Sequence, residues 1–255
     1  MTNSLYSIEM GDASGAPILL LHGFGGFADN WANLQQRLAT DKSVLAFDLP
    51  GHGQSLNYPD AGEPKIAARA IIAEMEKRNI AKAHIVGFSM GGAIASLIGL
   101  FAPERIASLT LLAPGGFGPE INHKMLQAYA RADNENAIRQ ILPQFYGFSA
   151  KIPETRIKAE LASRQQPGIT QSLCKIADLL FDGSKQGVIP ISPLLEIEVP
   201  IKVLWGTQDN ILPTRQAHKL PGLIATHVFS DTGHMLIEEQ PDAVYRLVKQ
   251  NTAYC

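Results

Sequence analysis

The sequence predicts a mostly parallel, doubly wound α/β sheet with helices on both faces and an inserted helical cap. Short apolar runs alternate with helix-like segments over residues 1–114 and again over 198–255, which is typical of a parallel sheet covered on both sides. Between residues 115 and 197 this alternation stops, and helix-like segments follow one another without a convincing strand. We therefore predict a sheet core of residues 1–114 and 198–255, with a helical cap of residues 115–197.

Each predicted strand is a short apolar run bounded by turn-forming residues, and each core helix shows apolar residues at helical spacing. The first strand is expected at the sheet edge. The predicted strands span 4–10, 17–22, 43–49, 83–88, 106–113, 200–205 and 225–229. The predicted core helices span 30–38, 66–75, 90–101 and 243–249. The predicted cap helices span 121–132, 136–145, 154–163 and 170–181.

Composition excludes several classes of function. The 255 residues are 45% hydrophobic and 18% charged, with a net charge of −2, which suits one large domain or a core with an inserted cap. A near-neutral balance without a basic run argues against nucleic-acid binding. No apolar run is long enough to cross a membrane, and the N-terminus does not resemble a signal peptide, so we expect a cytoplasmic protein.

The two cysteines match neither metal-ligand nor redox spacing. Cys174 and Cys255 lie far apart in sequence, which favours two free thiols in a reducing compartment, with a single disulfide as the alternative. No cluster of histidine, cysteine and aspartate has the spacing of a metal site. We expect neither a metal nor a cofactor.

A serine stands at a sharp turn between a predicted strand and a predicted helix. The segment Gly87-Phe88-Ser89-Met90-Gly91 fits the pattern G-x-S-x-G in this strand–turn–helix context. Glycines two residues before and after the serine allow the strand and the helix to approach closely. The pattern predicts a strained Ser89 whose hydroxyl projects at the carboxyl edge of the sheet; a tight turn without chemistry is the structural alternative.

A serine hydroxyl needs a base, and the base needs an orienting acid. His234 follows the last predicted strand, and Asp209 follows the strand before it, so both are expected at the edge that carries Ser89. Here His234 would accept the serine proton and Asp209 would fix the histidine tautomer. Asp231 is an alternative acid, although it lies close to His234 in sequence. Asp48 is interpreted as a loop-ordering residue.

The other histidines are assigned structural or surface positions. His22, His52 and His84 lie beside strands and are expected to be hydrogen-bonded within the core. The surface or cap is expected for His123, His218 and His227.

Stabilising an oxyanion requires two donors. The backbone N–H of Met90 is one candidate, and the N–H of Phe24, in the loop after the second strand, is the other, with Gly25 as second choice. The same loop supports a rival interpretation. Residues 23–28 match a G-x-G-x-x-A dinucleotide fingerprint with Asp48 at the end of the next strand. The rival is disfavoured because the helix begins near Asn30 and because the serine, aspartate and histidine would have no role.

The motifs together resemble the α/β-hydrolase superfamily over essentially the whole chain. The matching segments are His22 to Gly26, Asp48 to Ser55, Gly87 to Gly92, Gly206 to Asp209 and Gly233-His234. Within the superfamily, residues 113–122 resemble the hydrolase-like domain of acetoin dehydrogenase acyltransferase components, which usually carry a preceding lipoyl domain for which residues 1–17 leave no room. The chain is also similar to esterases, enol-lactonases and carbon–carbon hydrolases of aromatic-ring degradation, although Met235 stands where the last group often has an aromatic residue. Ser89 counts against dehalogenases and epoxide hydrolases, which use an aspartate there.

The sequence therefore predicts a serine hydrolase that acts on a small or medium acyl substrate (an ester, thioester or lactone) through an acyl-serine intermediate. Carbon–carbon hydrolysis, acyl transfer and a non-catalytic binding protein are the alternatives. The expected partner is a small-molecule acyl substrate, with neither nucleic acid nor membrane, and the chain is expected to be a monomer or homodimer. The predicted pocket residues are Gly23, Gly25, Phe88, Phe117, Phe145 and Phe148.

Overall fold

A seven-stranded sheet forms the centre of the computed structural model, which describes residues 4–253. The strands in chain order are β1 (Ser7–Met10), β2 (Ile18–Leu21), β3 (Val44–Phe47), β4 (Ala83–Phe88), β5 (Ile106–Leu112), β6 (Phe181–Asp182), β7 (Lys185–Gln186), β8 (Ile201–Gly206) and β9 (Ala225–Phe229). The main sheet has the order β1-β3-β2-β4-β5-β8-β9, and β6 and β7 pair separately as a hairpin. Only the edge strand β1 pairs antiparallel in the main sheet, so the predicted mostly parallel architecture is confirmed.

Ten α-helices accompany the sheet in the described residues. They are α1 (Ala32–Leu38), α2 (Pro64–Lys77), α3 (Met90–Phe101), α4 (His123–Arg131), α5 (Glu135–Ile141), α6 (Glu154–Arg164), α7 (Ile169–Leu180), α8 (Ser192–Leu195), α9 (Leu236–Glu239) and α10 (Pro241–Asn251). Helix α2 packs against α3, and α1 packs against α10. Helices α4 to α7 follow β5 before the chain returns to the sheet at β8. None of the helices in residues 4–253 combines the length and apolarity that a membrane span requires.

The central strands are continuous apolar runs because helices cover both faces of a parallel sheet. Every residue of β2, β3, β4 and β5 is buried. This burial holds the carboxyl ends of the parallel strands in fixed positions. The loops that follow β4, β8 and β9 carry Ser89, Asp209 and His234 respectively, so these three residues share one edge of the sheet.

The segment between β5 and β8 contains structure that the sequence did not indicate. The hairpin β6–β7 and the short helix α8 lie within it, and two-residue strands are too short to show a hydrophobic period. The hairpin depends instead on Gln186, whose side chain accepts a hydrogen bond from the Gly116 N–H and donates one to the Gly118 carbonyl. Cys174 lies half-buried on α7, and Cys255 lies outside the described residues.

Candidate active site

Ser89 occupies a strained turn between β4 and α3. Its backbone has φ 53° and ψ −115°, a positive φ that costs a non-glycine residue about 1–3 kcal/mol. The neighbouring glycines make the turn possible, because a Cβ at Gly87 would lie 2.3 Å from the Gly91 carbonyl oxygen. A Cβ at Gly91 would lie 2.1 Å from the Leu21 carbonyl oxygen. Both glycines are therefore required by the close approach of helix and strand, as the sequence predicted.

Asp209 and His234 form a buried pair beside this turn. The Asp209 Oδ2 atom lies 2.7 Å from His234 Nδ1, and both side chains are almost fully buried. The other carboxylate oxygen, Oδ1, accepts hydrogen bonds from the backbone N–H groups of Ile211 and Leu212, at 2.8 and 2.9 Å. Because a carboxylate can only accept, Nδ1 carries the proton, which leaves Nε2 with the lone pair that a general base needs.

His234 and Ser89 line the same small cavity, which has a volume of about 40 Å³. The ring centroid of Phe88 lies 4.9 Å from that of the imidazole, and the backbone N–H of His234 donates to the Phe145 carbonyl at 2.7 Å. These contacts hold the imidazole from both the sheet and the inserted segment. Within residues 4–253 no direct hydrogen bond joins Ser89 Oγ to His234, and such contacts are often long before substrate binds.

Asp231, the alternative acid, points elsewhere. Its Oδ1 accepts a hydrogen bond from the Gln208 amide at 3.0 Å, on an exposed surface. The structure therefore places Asp209, and not Asp231, against the His234 ring.

Two backbone N–H groups near Ser89 are available as oxyanion donors. Among the described residues, neither the Phe24 N–H nor the Met90 N–H has a hydrogen-bond acceptor. The Gly25 N–H, the second choice from the sequence, instead donates to His52 Nε2 at 3.1 Å. Phe24, in the loop after β2, and Met90, directly after Ser89, thus remain the two candidates whose N–H groups have no acceptor in residues 4–253.

Buried neutral histidines hold the loop that carries Phe24. His52 Nδ1 donates to the Pro50 carbonyl, while its Nε2 accepts from Gly25. His22 repeats this arrangement, with Nδ1 on the Gly23 carbonyl and Nε2 accepting from the Leu49 N–H. Burial lowers the pKa of His22 to about 4 and that of His52 to about 3, so both rings are neutral at pH 7. Among the other histidines, Nδ1 of His84 lies 2.9 Å from Ser108 Oγ.

Asp48 holds two loops in place, and its carboxylate is not free to bind a nucleotide. Its carboxylate accepts from the backbone N–H groups of Ala28 and Gln54, both at 2.7 Å. These bonds occupy both carboxylate oxygens inside the protein, and α1 begins only at Ala32, after a 3₁₀ turn. Both observations weigh against the dinucleotide-binding alternative.

A charged network in the inserted segment forms the far side of the small cavity, and the sequence analysis missed it. Glu160 accepts hydrogen bonds from Arg156 at 2.8 Å, from Arg164 at 2.9 Å and from the Tyr129 hydroxyl at 2.7 Å. Arg156 also donates to Glu238 at 2.9 Å, and Arg156, Glu238 and Tyr129 all line the cavity. Burial opposes ionisation of Glu160, but the two arginines outweigh it and lower its pKa. The four-residue spacing of Arg156, Glu160 and Arg164 was the available signal, since it places them on one helix face.

A second, larger cavity of about 480 Å³ also reaches Ser89. Of the six predicted pocket residues, Gly23, Phe88 and Phe145 line the small cavity. Phe24, predicted as an oxyanion donor, lines both cavities. The remaining three, Gly25, Phe117 and Phe148, line neither cavity. Gly25 is turned toward His52 by its backbone hydrogen bond, Phe117 is buried in the core, and the Phe148 side chain is 79% exposed on the outer surface.

Comparisons with known proteins agree with the observed fold. A family model described as "Alpha/beta hydrolase family" matches residues 18–247. The chain is 34% identical over 236 residues to the dihydrolipoyllysine-residue acetyltransferase component of the acetoin cleaving system of Pseudomonas putida, a match that covers 92% of this chain but only 63% of that protein. It is 30% identical over 252 residues to 2-hydroxy-6-oxo-6-phenylhexa-2,4-dienoate hydrolase of Comamonas testosteroni, covering 91% of this chain and 86% of that protein. The solved structure of the hydrolase of that name from Rhodococcus sp. strain RHA1 superposes with a TM-score of 0.84 at 26% identity, covering 97% of this chain and 94% of that chain.

Proposed function

The chain belongs to the alpha/beta hydrolase family and is an enzyme of hydrolase type, and from this premise we propose that it is a serine hydrolase with a Ser89–Asp209–His234 triad. Its substrate is a small or medium acyl compound, either an ester, a thioester or a lactone. The observation that carries the proposal is the Asp209–His234 hydrogen bond of 2.7 Å beside the cavity that contains Ser89.

In the acylation step, Ser89 Oγ attacks the carbonyl carbon while its proton passes to His234 Nε2. The carbonyl oxygen becomes an oxyanion, which the N–H groups of Phe24 and Met90 stabilise; losing one such donor costs about 3 kcal/mol. Asp209 stabilises the imidazolium that forms. The intermediate then collapses, the bond to the leaving group breaks, and the leaving group takes the proton from His234.

In the deacylation step, water replaces the leaving group. His234 takes a proton from the water, whose oxygen attacks the acyl carbon, and the second oxyanion uses the same two N–H groups. Collapse breaks the bond to Ser89 Oγ, which recovers its proton from His234 and releases the carboxylic acid.

The inserted segment acts as the cap over this reaction, with residues 1–114 and 198–255 as the core. Support comes from hydrogen bonds that join the segment to the His234 loop. Glu239 accepts from the N–H groups of Gly147 and Gly233, and the Tyr146 hydroxyl donates to Glu238 at 2.5 Å. A closed cap shields the reacting groups from bulk water.

Labelling with an alkyl fluorophosphonate tests the proposal directly, because an activated serine displaces the small fluoride ion and becomes covalently modified. We expect one label per chain, located on Ser89 by peptide mass spectrometry, and none in Ser89→Ala. Methyl ester hydrolysis, followed by acid release at constant pH, should be lost in the same variant. Undiminished turnover by Ser89→Ala would refute the proposal.

Carbon–carbon hydrolysis is the second candidate, favoured by the similarity to the hydrolase of Comamonas testosteroni. That relative acts on a dienoate, which is an anion. In this chain, Arg156 is the arginine on the small cavity, and Glu160 and Glu238 already neutralise it. This charge balance favours a neutral group in the small cavity. Incubation with 2-hydroxy-6-oxo-6-phenylhexa-2,4-dienoate, followed by loss of its absorbance, distinguishes the two candidates.

Acyl transfer to a thiol is supported by the similarity to the acetoin-system component, of which the chain spans 63%. Both reactions share the acyl-serine and differ in the acceptor that attacks it. Product analysis with water and a thiol in competition decides between them.

A further inference from the structure

Ser89 lies where two cavities of very different size meet. The smaller, of about 40 Å³, is lined by His234. The larger, of about 480 Å³, is lined by Met90 but not by His234. Phe24, Ser89 and Leu126 line both cavities, so they form the junction. A substrate whose carbonyl carbon lies at Ser89 can therefore place one arm in each cavity.

The position of His234 decides which arm enters which cavity. A general acid must lie within hydrogen-bond reach of the atom that it protonates. In acylation that atom belongs to the leaving group, so the leaving group must occupy the cavity that contains His234. The acyl arm is then left with the larger cavity, which Met90 also lines.

We propose, resting on the serine hydrolase function above, that the enzyme is specific for esters or thioesters with a long apolar acyl arm and a small leaving group. The acyl arm is a straight alkyl chain of about octanoyl length, which enters the larger cavity. The leaving group, of about the size of methanol, occupies the cavity of His234. An ester with a bulky alcohol and a short acyl arm should be a poor substrate, because its alcohol does not fit the smaller cavity.

The lining of the larger cavity fits an alkyl chain. Most of its residues are aliphatic, and its exposed lining includes Val188 at 59% and Leu179 at 48% exposure together with the opposite charges of Glu63 and Lys65. Leu97 lies on α3 about 12 Å along the helix axis from Ser89, at 1.5 Å per residue, which matches an extended octanoyl chain. The aliphatic residues that line it include Leu97, Ile121, Leu180, Ile189 and Leu212.

Two isomeric esters test the proposed orientation. Methyl octanoate has a long acyl arm and a small leaving group, whereas octyl acetate has the same functional group with the arms exchanged. We expect kcat/KM to be at least about tenfold higher for methyl octanoate, since even one methylene in an apolar pocket changes this ratio about tenfold or more. Equal rates or a preference for octyl acetate would overturn the orientation while leaving the serine hydrolase function intact. Hydrolysis of neither ester, together with no fluorophosphonate labelling, would overturn the function itself.

A matched pair of variants locates the acyl arm. Leu97 and Leu100 are both half-buried leucines of α3, but only Leu97 lines the larger cavity. In Leu97→Trp we expect kcat/KM for methyl octanoate to fall at least about tenfold more than kcat/KM for methyl acetate, because only the longer acyl arm reaches this position. The control Leu100→Trp should leave both substrates unchanged. Circular dichroism and fluorophosphonate labelling check that both variants are folded and active. A folded Leu97→Trp enzyme that retains its full methyl octanoate rate would place the acyl arm elsewhere.

Discussion

The two sides of the small cavity are built by different physical means. On the sheet side, backbone groups hold the proposed triad and the loop beside it: Asp209 accepts from two N–H groups, and His52 bridges the Gly25 N–H and the Pro50 carbonyl. On the cap side, charged side chains hold one another, with Glu160 and Glu238 bound to Arg156. The sheet side is anchored to buried strands, whereas the cap side depends on a long-range network of side chains.

This difference predicts that the sheet side determines the chemical step, whereas the cap side determines stability and substrate access. Substitutions of the proposed triad on the sheet side change groups that touch reacting atoms or aim them, so they should lower kcat. Substitutions on the cap side remove partners of buried charges, which should lower stability and weaken substrate binding. The predictions below test this division, beginning with the largest effect.

Replacing Asp209 by asparagine tests the sheet side. An amide at this position can present its NH₂ to His234, which favours the wrong tautomer and removes the charge that stabilises the imidazolium. We expect kcat for methyl octanoate to fall about 10⁴-fold, with little change in melting temperature. Asp231→Asn is the matched control, because that carboxylate contacts Gln208 instead of the ring. A larger loss of activity in Asp231→Asn than in Asp209→Asn would reverse the assignment of the acid.

Replacing Glu160 by glutamine tests the cap side. The change leaves Arg156 and Arg164 short of a buried negative charge, and breaking one partner of such a network costs about 3–5 kcal/mol. We expect a large fall in the free energy of unfolding, measured by urea denaturation, while Ser89 is still labelled by fluorophosphonate. Glu154→Gln is the control on the same helix, since its pair with Arg139 is exposed. Similar losses in the two variants would show that the buried network contributes no special stability.

Acidification should destabilise the sheet side through its buried histidines. The pKa values of His22 and His52 are about 4 and 3 in the folded protein and near 6.5 in the unfolded chain. As pH falls below 6.5, the unfolded chain therefore binds protons that the folded protein does not, and stability decreases. Each ring should remove about 2 kcal/mol of unfolding free energy between pH 7 and pH 5.

The variant His52→Gln isolates one of these contributions. It should be less stable than the wild type at pH 7, because Gly25 and Pro50 lose an aligned partner. It should, however, lose about 2 kcal/mol less between pH 7 and pH 5, as measured by urea denaturation at each pH. An unchanged pH dependence would mean that the His52 ring does not remain neutral in the folded protein.

The sequence predicted the parts of the molecule that local patterns encode. The strand before Ser89 begins and ends where the apolar run predicted, and so does β9, because buried parallel strands are continuous hydrophobic segments. The resemblance to the α/β-hydrolase superfamily is confirmed by the family match over residues 18–247. The pairing of Asp209 with His234 followed from strand order, since loops after parallel strands meet at one edge.

The sequence could not predict which side chains line the cavities around Ser89. Glu238 contacts Arg156 across 82 positions of sequence, and no local period reports such a contact. Phe148 was expected in the pocket as an aromatic residue of the inserted segment, yet its side chain lies on the outside, while its backbone N–H donates to the Gln208 side chain. Cavity size depends on how α3, α4 and the segment around Ile189 pack together, which is a property of the folded chain.

The smallest expected effect comes from removing a single hydroxyl of the cap network. Tyr129 donates to Glu160, and its ring packs 4.9 Å from Phe145 and 6.1 Å from Phe24. Tyr129→Phe keeps the ring but removes one donor to a buried carboxylate, which costs about 1.5 kcal/mol. Tyr245→Phe, on the exposed face of α10, is the control and should show no measurable change. Because the oxyanion donors and His234 are untouched, kcat for methyl acetate should remain that of the wild type, and a fall in kcat would mean that the cap network also aims the reacting groups.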